Sequence, residues 1–371
     1  MKDSLVAFTK IILTDIARAV TVPLLAIFTA VMVGSIFLLL SGFNPLEAYG
    51  GLLDGAFGSS RGWSRTLLNM VPFIFAGLSV AFAFKGGLFN IGAEGQLFIG
   101  SISAAAVGFL WQDLPWLLHL PLALLAGMLG GAVWGMIPGL LKAYTGSHEV
   151  ITTIMFNFIG IIFTGYLVSG PLQDPTTIVP QTPLVAPSAR LPLLGNVELG
   201  LHAGILLAIA TAAFIYWLIW RTPFGFELRT VGLNPGAAAY AGMNVKRLTV
   251  LTMTIAGLLA GLSGAVETLG RNYYFAPGFN VGYGFDSITI ALLAKNHPLA
   301  VIVTAFLFGA MDAGATRMQR LSGVPSEIIQ LVQALILMFV AADQIVRMIY
   351  RLKAKRVEEK EATFSAGWGQ R

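Results

Sequence analysis

Cysteine is absent from all 371 residues, which excludes disulfides, thiolate metal sites and a cysteine nucleophile and leaves the redox compartment unmarked. Charge is scarce: 11% of residues are Asp, Glu, Lys or Arg, against about a quarter in a soluble globular chain. The four histidines are scattered and offer no metal cluster, and His148 next to Glu149 lacks the HExxH spacing of a zinc protease. No GxxxxGK[ST] phosphate loop occurs, so the chain is not expected to hydrolyse ATP itself. No paired acid and base converge in the sequence, which disfavours a membrane enzyme.

What is present is apolar sequence. Hydrophobic residues make up 56% of the chain, and the mean hydropathy is +0.78. Repeated apolar runs of about 20 residues match the length needed to cross a hydrocarbon core of about 30 Å. The expected fold is therefore all-α, a polytopic membrane helix bundle with about ten segments, some of them broken by glycine. The segments run near Ala19–Leu40, Thr66–Phe84, Leu88–Leu110, Trp116–Leu141, Val150–Val168, Gly200–Trp220, Leu248–Leu269, Phe285–Ala294, Leu299–Ala315 and Ile328–Ile345. Residues 1–18 are read as a cytoplasmic lead-in, 19–346 as the transmembrane domain and 347–371 as a cytoplasmic tail whose basic start suits anionic lipid. With both termini inside, seventeen Lys and Arg fall on the cytoplasmic side and six outside, in the sense of the positive-inside rule. The formal net charge of +5 is assigned to topology on this ground, not to nucleic acid.

Three connections are long. Residues 42–65 and 170–199 are expected outside, the second as a proline-rich ordered cap. The third, 221–247, is expected in the cytoplasm. In it Asn234 is placed to cap a short helix that starts at Pro235 and ends before Gly242. Such a helix is marginal alone, and two readings stay level: a surface turn, or a docking helix carrying Ala238 and Tyr240 with Arg229, Lys246 and Arg247 at its margins.

Polar residues interrupt the apolar runs at three places. In GGLFNIGAEGQLFIG, residues 86–100, five glycines predict a helix break or close helix packing. Asn90 and Glu94 would share one helical face, with Gln96 off it. These three either tie the broken helix to its neighbours or stand beside a pathway, and a buried Glu94 should face protein or water, not lipid. In TGSHEVITTIMFNFIG, residues 145–160, Ser147 is expected as a cap and Glu149 as a first-turn acid. Thr153 and Asn157 could line a pore or bond between helices. In the second half, 270–298 holds a glycine- and aromatic-rich loop and a segment too short to span, where Asp286 is expected to cap a helix from Ser287 onward. Glu267, near the end of its span, is expected to be solvated. Tyr273, Tyr274, Phe275 and Phe279 suggest an interfacial aromatic belt or a vestibule.

GLFNIGAEGQ at 87–96, HEVITTIMFN at 148–157 and GYGFDSITIALL at 282–293 resemble permease subunits of ATP-binding-cassette importers. The likeness is to the branch serving branched-chain amino acids and simple sugars, and within it to the nucleoside permeases fed by basic-membrane-protein lipoproteins. The resemblance implies a prokaryotic cytoplasmic-membrane permease with no bound cofactor or metal and no catalytic residue. It implies a second homologous permease in a heterodimer, a cytoplasmic ATPase that uses ATP and Mg, and an external substrate-binding lipoprotein. Asn90, Glu94, Gln96, Thr153, Asn157, Phe285 and Asp286 become translocation-pathway candidates. Arg229, Asn234, Pro235, Ala238, Tyr240 and Met243 become coupling candidates, which raises the docking reading of 234–243 above the surface turn. The alternatives are a permease for a simple sugar such as ribose, or an ion-coupled secondary carrier or channel with Glu94 as its proton- or ion-linked group.

Overall fold

The structure, a computed structural model, describes residues 25–195, 199–278, 282–341 and 348–350. The lead-in 1–18 and the tail from Arg351 onward lie outside the described residues. Among these residues the fold is all-α: α1 (Leu25–Leu40), α2 (Pro45–Phe57), α3 (Ser60–Lys85), α4 (Ala93–Leu110), α5 (Trp116–Thr145), α6 (Glu149–Val168), α7 (Gly204–Arg221), α8 (Pro223–Leu233), α9 (Pro235–Tyr240), α10 (Val245–Glu267), α11 (Tyr283–Leu293), α12 (Pro298–Ser322) and α13 (Ser326–Ala341). Seven are long and apolar enough to cross a membrane, namely α3 to α7, α10 with the π-turn Thr268–Asn272, and α12. They answer to seven of the ten expected segments. Of the other three, the first and eighth appear as the shorter apolar helices Leu25–Leu40 and Tyr283–Leu293. The last corresponds to Ser326–Ala341, with 342–347 outside the described residues.

The chain divides into two compact units. In the one made from Met1–Phe37 and Gln330–Arg371, Thr29 donates to the Leu25 carbonyl at 2.7 Å and meets the Tyr350 hydroxyl at 3.0 Å. The other, Leu38–Ile329, is layered around α3, α4 and α10. These three are buried along most of their length, whereas α5, α6 and α7 bury one stripe and leave the rest exposed. The exposed side chains are those a lipid-facing helix carries, such as Leu125 and Leu129 on α5, Phe158 and Ile162 on α6, and Phe214 and Trp217 on α7.

Glycine sets the closest approach in this bundle. Gly127, Gly131 and Gly135 recur along one face of α5 and meet Gly257 and Gly261 of α10. A methyl group at Gly131 would strike the Gly257 carbonyl, and one at Gly135 would lie 2.6 Å from the Met253 carbonyl oxygen. This is packing by small residues, which lets two backbones touch where lipid supplies no hydrophobic drive.

Of the two outer connections, the first departs from expectation and the second is ordered as expected over its described residues. The stretch 42–65 is helical, not a loop: Asn44 accepts from Leu46 N–H at 3.0 Å to start α2, and Ser59 accepts from Gly62 N–H at 3.1 Å to start α3. In 170–195 the chain is ordered by its partners, with Thr182 N–H donating to Phe275 O at 2.9 Å, Val185 N–H to Tyr273 O at 2.7 Å and Leu191 N–H to Leu269 O at 3.0 Å. Residues 196–198 lie outside the described residues.

Candidate functional site

The glycine-rich break lies at 86–92, between the end of α3 and the start of α4. Gly87 turns there with φ +74°, and a Cβ on it would come 2.8 Å from Gly232 Cα, so only glycine fits. Asn90 does not continue a helix and shares no face with Glu94. Its amide forms a reciprocal pair with Gln96, at 2.8 and 3.0 Å, and also donates to Ser79 Oγ at 3.1 Å. Asn157 reaches across from α6, accepting from Gly95 N–H at 2.8 Å and donating to Ile91 O at 2.7 Å. It therefore ties the first turn of α4, whose backbone groups have no partners within the helix. Thr153 is buried and donates to the Glu149 carbonyl of its own helix at 2.7 Å.

Glu94 performs a different task. Its two carboxyl oxygens accept from Gly282 N–H and Gly284 N–H, each at 2.6 Å. Those are the first backbone donors of α11, so a side chain of α4 caps a helix far away in sequence. Asp286 is accordingly not the cap: α11 begins at Tyr283, with Gly282 at φ +100°, and Asp286 lies in the first turn. Gly284 has no room for a side chain because a Cβ would strike the Glu94 backbone. Asp286 and Phe285 both face outward from this turn. The capping role expected of Ser147 also fails. His148 occupies that position without a side-chain bond, Ser147 meets Thr145 at 2.6 Å, and Glu149 pairs with Lys142 at 2.7 Å.

A second polar cluster was not among the expected site residues. Arg271 Nη1 donates to Asn69 Oδ1 at 3.0 Å and to Glu267 Oε1 at 3.3 Å, and Asn69 Nδ2 donates to Asp312 Oδ2 at 2.7 Å. Glu267 is buried, not solvated. Tyr283 lies within reach of Arg271, and Asp286 within electrostatic reach of Asp312, so the cluster adjoins the open turn of α11. The four-residue spacing of Glu267 and Arg271 was the one signal in the sequence; Asn69 and Asp312 are single polar residues in apolar runs whose meeting only the fold reveals. Next to this cluster His202 is buried, and burial together with the positive Arg271 pushes it down to about 4. Its Nδ1 accepts from Gly204 N–H at 3.1 Å, as a neutral imidazole does.

The segment 221–247 contains two helices. Asn234 caps α9 by accepting from Ala237 N–H at 3.0 Å. Ala238 is fully buried against Val231 and Leu248, and Met243 packs on the same group. Arg229 bonds to the Gly225 carbonyl at 3.2 Å and lies over the Trp220 ring. The outward face is instead made by Leu233, 88% exposed, and Tyr240, 98% exposed, with Asn234 and Pro235 between them. Behind it a cleft of about 310 Å³ runs between Lys142, Glu149, Gly232 and Lys246. Where α2, α3 and α12 meet, a recess of about 280 Å³ is lined by Arg61, Arg65, Arg317 and Arg320 with Asp54, which pairs with Arg317.

Residues 63–341 match the family described as Branched-chain amino acid transport system / permease component. The guanosine ABC transporter permease protein NupP of Bacillus subtilis (strain 168) is 42% identical over 341 residues, 90% of this chain and 97% of the relative. The nucleoside ABC transporter permease protein NupB of Lactococcus lactis subsp. cremoris is 38% identical over 362 residues, 94% of this chain and 98% of the relative. The glucose ABC transporter permease protein TsgB13 of Haloferax volcanii is 34% identical over 331 residues, 87% of each chain.

Proposed function

Because this chain is a multi-pass membrane protein that belongs to the family of branched-chain amino acid transport system permease components, we propose that it is the transmembrane permease subunit of an ATP-driven importer of nucleosides. The observation that carries this reading is similarity running from end to end of the guanosine and nucleoside permeases, at 42% and 38% identity. The chain crosses the cytoplasmic membrane of a prokaryote about ten times with both termini inside, as its Lys and Arg distribution suggests. A second, homologous permease completes the pathway, and the open turn at Phe285 and Asp286 faces it. Asn90, Gln96, Asn157 and Thr153 hold the helix break from behind, and Glu94 fixes the end of α11.

The chain carries no ATPase site of its own in this reading; a partner ATPase supplies hydrolysis, with ATP and Mg. Leu233 and Tyr240, flanking Asn234 and Pro235, dock on that partner, while buried Ala238 and Met243 seat α9 on the bundle. Closure of the ATPases moves α9, and the bundle alternates between outward and inward access. An external lipoprotein delivers substrate at the arginine-lined recess, where acidic side chains would find complementary charge.

The glucose permease at 34% identity favours one second reading, an importer of a simple sugar. The deciding experiment is uptake of labelled uridine and guanosine in cells with and without this chain, against excess nucleosides, ribose and leucine. Loss of saturable, ATP-dependent uptake on deletion, competed by nucleosides alone, is the expected result. Nucleoside uptake that persists while ribose uptake disappears would transfer the chain to sugars, and uptake driven by an ion gradient with this polypeptide alone would remove it from ATP-driven transport.

A further inference from the structure

The cluster of Asn69, Glu267, Arg271 and Asp312 has an inner and an outer half. Asn69 and Glu267 are buried, at 4% and 3% exposure, whereas Arg271 and Asp312 are exposed. The asparagine amide joins the halves, donating to Asp312 at 2.7 Å and accepting from Arg271 at 3.0 Å. Two buried groups therefore fix the positions of one cationic and one anionic head that both reach an open face. Asn69 lies three residues inside the apolar run Thr66–Phe84 and Asp312 three residues inside Leu299–Ala315, about 5 Å from the ends of those runs. A charged group within a span faces protein, water or a pathway. A tie between α3 and α12 could be made by the asparagine and a serine or threonine alone, without two exposed charges.

The surroundings add aromatic surface. Phe73 makes edge contacts with Tyr283 at 5.0 Å and with Phe308 at 5.7 Å, and Tyr283 lies beside Arg271. Phe285, 43% exposed, and Asp286 stand on the same turn of α11, with Asp286 in electrostatic reach of Asp312. A carboxyl group and a guanidinium with fixed spacing match vicinal hydroxyls, each of which donates and accepts, while the exposed ring of Phe285 matches a planar base.

We propose that Asp312 and Arg271, with Phe285, form a transient binding site inside the permease for a ribosyl compound, with the vicinal hydroxyls at the charged pair and the base on the aromatic turn. The site rests on the importer reading and deepens it: the permease itself takes part in selecting its cargo after the lipoprotein releases it. Asn69 and Glu267 are positioning residues here, since they act through Asp312 and Arg271.

The absence of cysteine provides the assay. In the complete transporter in proteoliposomes, Asp286→Cys, beside the site and exposed, introduces the one thiol of this chain, to be labelled with a charged methanethiosulfonate while uridine, 2′,3′-dideoxyuridine or ribose is added. Uridine, at about nine times its Kd, is expected to slow labelling by about tenfold through occupancy of the site. Dideoxyuridine should protect far less, and adding Asp312→Asn should abolish protection by uridine. In Asp312→Asn alone, uridine uptake per ATP hydrolysed should fall by about tenfold.

Labelling indifferent to all three compounds would overturn the site. So would equal protection by uridine and dideoxyuridine, or a joint loss of uptake and hydrolysis in Asp312→Asn with protection intact, which would reduce the cluster to a structural tie. If the wild-type transporter takes up ribose and not uridine, and ribose protects the thiol, the nucleoside reading fails while the site stands.

Discussion

Replacing Glu94 by alanine removes both acceptors from the start of α11 at once. Gly282 N–H and Gly284 N–H each lose a 2.6 Å bond, and neither can turn to another helix carbonyl, because they are the first donors of their own helix. A buried donor left without a partner costs about 1 to 3 kcal/mol, so the pair should weaken the docking of α11 by about 2 to 6 kcal/mol. At 1.4 kcal/mol per decade, local opening of the first turn becomes roughly 30-fold to 20,000-fold more populated. Ser287 provides the reporter, being fully buried with its hydroxyl 2.5 Å from the Gly284 carbonyl. The thiol of Ser287→Cys is close to isosteric, and its alkylation rate in the purified transporter measures the opening. The double variant Glu94→Ala with Ser287→Cys is expected to label at least about 30-fold faster than Ser287→Cys alone. Glu94→Gln, which keeps one acceptor, should fall between. Equal labelling rates in all three would refute the view that Glu94 holds α11 in place.

Tyr240→Ala combined with Leu233→Ala should leave the bundle intact, since both side chains are exposed, yet should lower uptake and lipoprotein-stimulated ATP hydrolysis by about tenfold or more, the loss expected of an aromatic anchor at an interface; unchanged coupled uptake would remove α9 from the docking surface. Gly131→Val forces a side chain into the Gly257 carbonyl, and overpacking of about 1 to 3 kcal/mol or more should show as lower accumulation and a lower unfolding temperature, whereas Gly165→Ala, with open space around it, should not. His202 is held down at about 4 against about 6.5 in an unfolded chain. Its contribution is full above pH 6.5 and lost as pH falls from there towards 4, because the unfolded chain then binds the extra proton. Thermal unfolding of His202→Gln should therefore depend less on pH across that interval than wild type, and parallel profiles would argue against the shift.

Segments whose information is local were legible before the fold was known. Apolar runs located seven spans because hydropathy and length act within one helix, and the Asn234 cap of α9 uses neighbours in sequence alone. The broken helix at 86–92 was equally local, being written in glycine. What escaped was reach. Glu94 was read beside Asn90 by helical spacing, but its partners are at 282 and 284, and Asp286 was given the capping task because no local rule looks across two halves of a chain. Ser147 failed similarly, displaced by the turn that lets Thr145 and Ser147 bond to each other. Asn69 and Asp312 were silent, since one polar residue in an apolar run has many possible partners. On α9 the composition suggested a docking helix, but one turn carries both Ala238 and Tyr240, and only the packing against Val231 and Leu248 tells the inward side from the outward.

Capping α11 from α4 also constrains how the protein is made. Glu94 is 188 residues ahead of Gly282, and at about 5 to 20 residues per second the ribosome needs about 10 to 40 seconds to cover that distance. During the wait the carboxyl group has no α11 to bind, while Asn157, emerging much sooner, can already clasp the loop and first turn around it. The early helices must therefore be held near the insertion machinery, or around water, until the later half arrives. A chain truncated before Gly282 would keep six of the seven long apolar helices and still carry one unanswered acid, a mark of an unfinished permease.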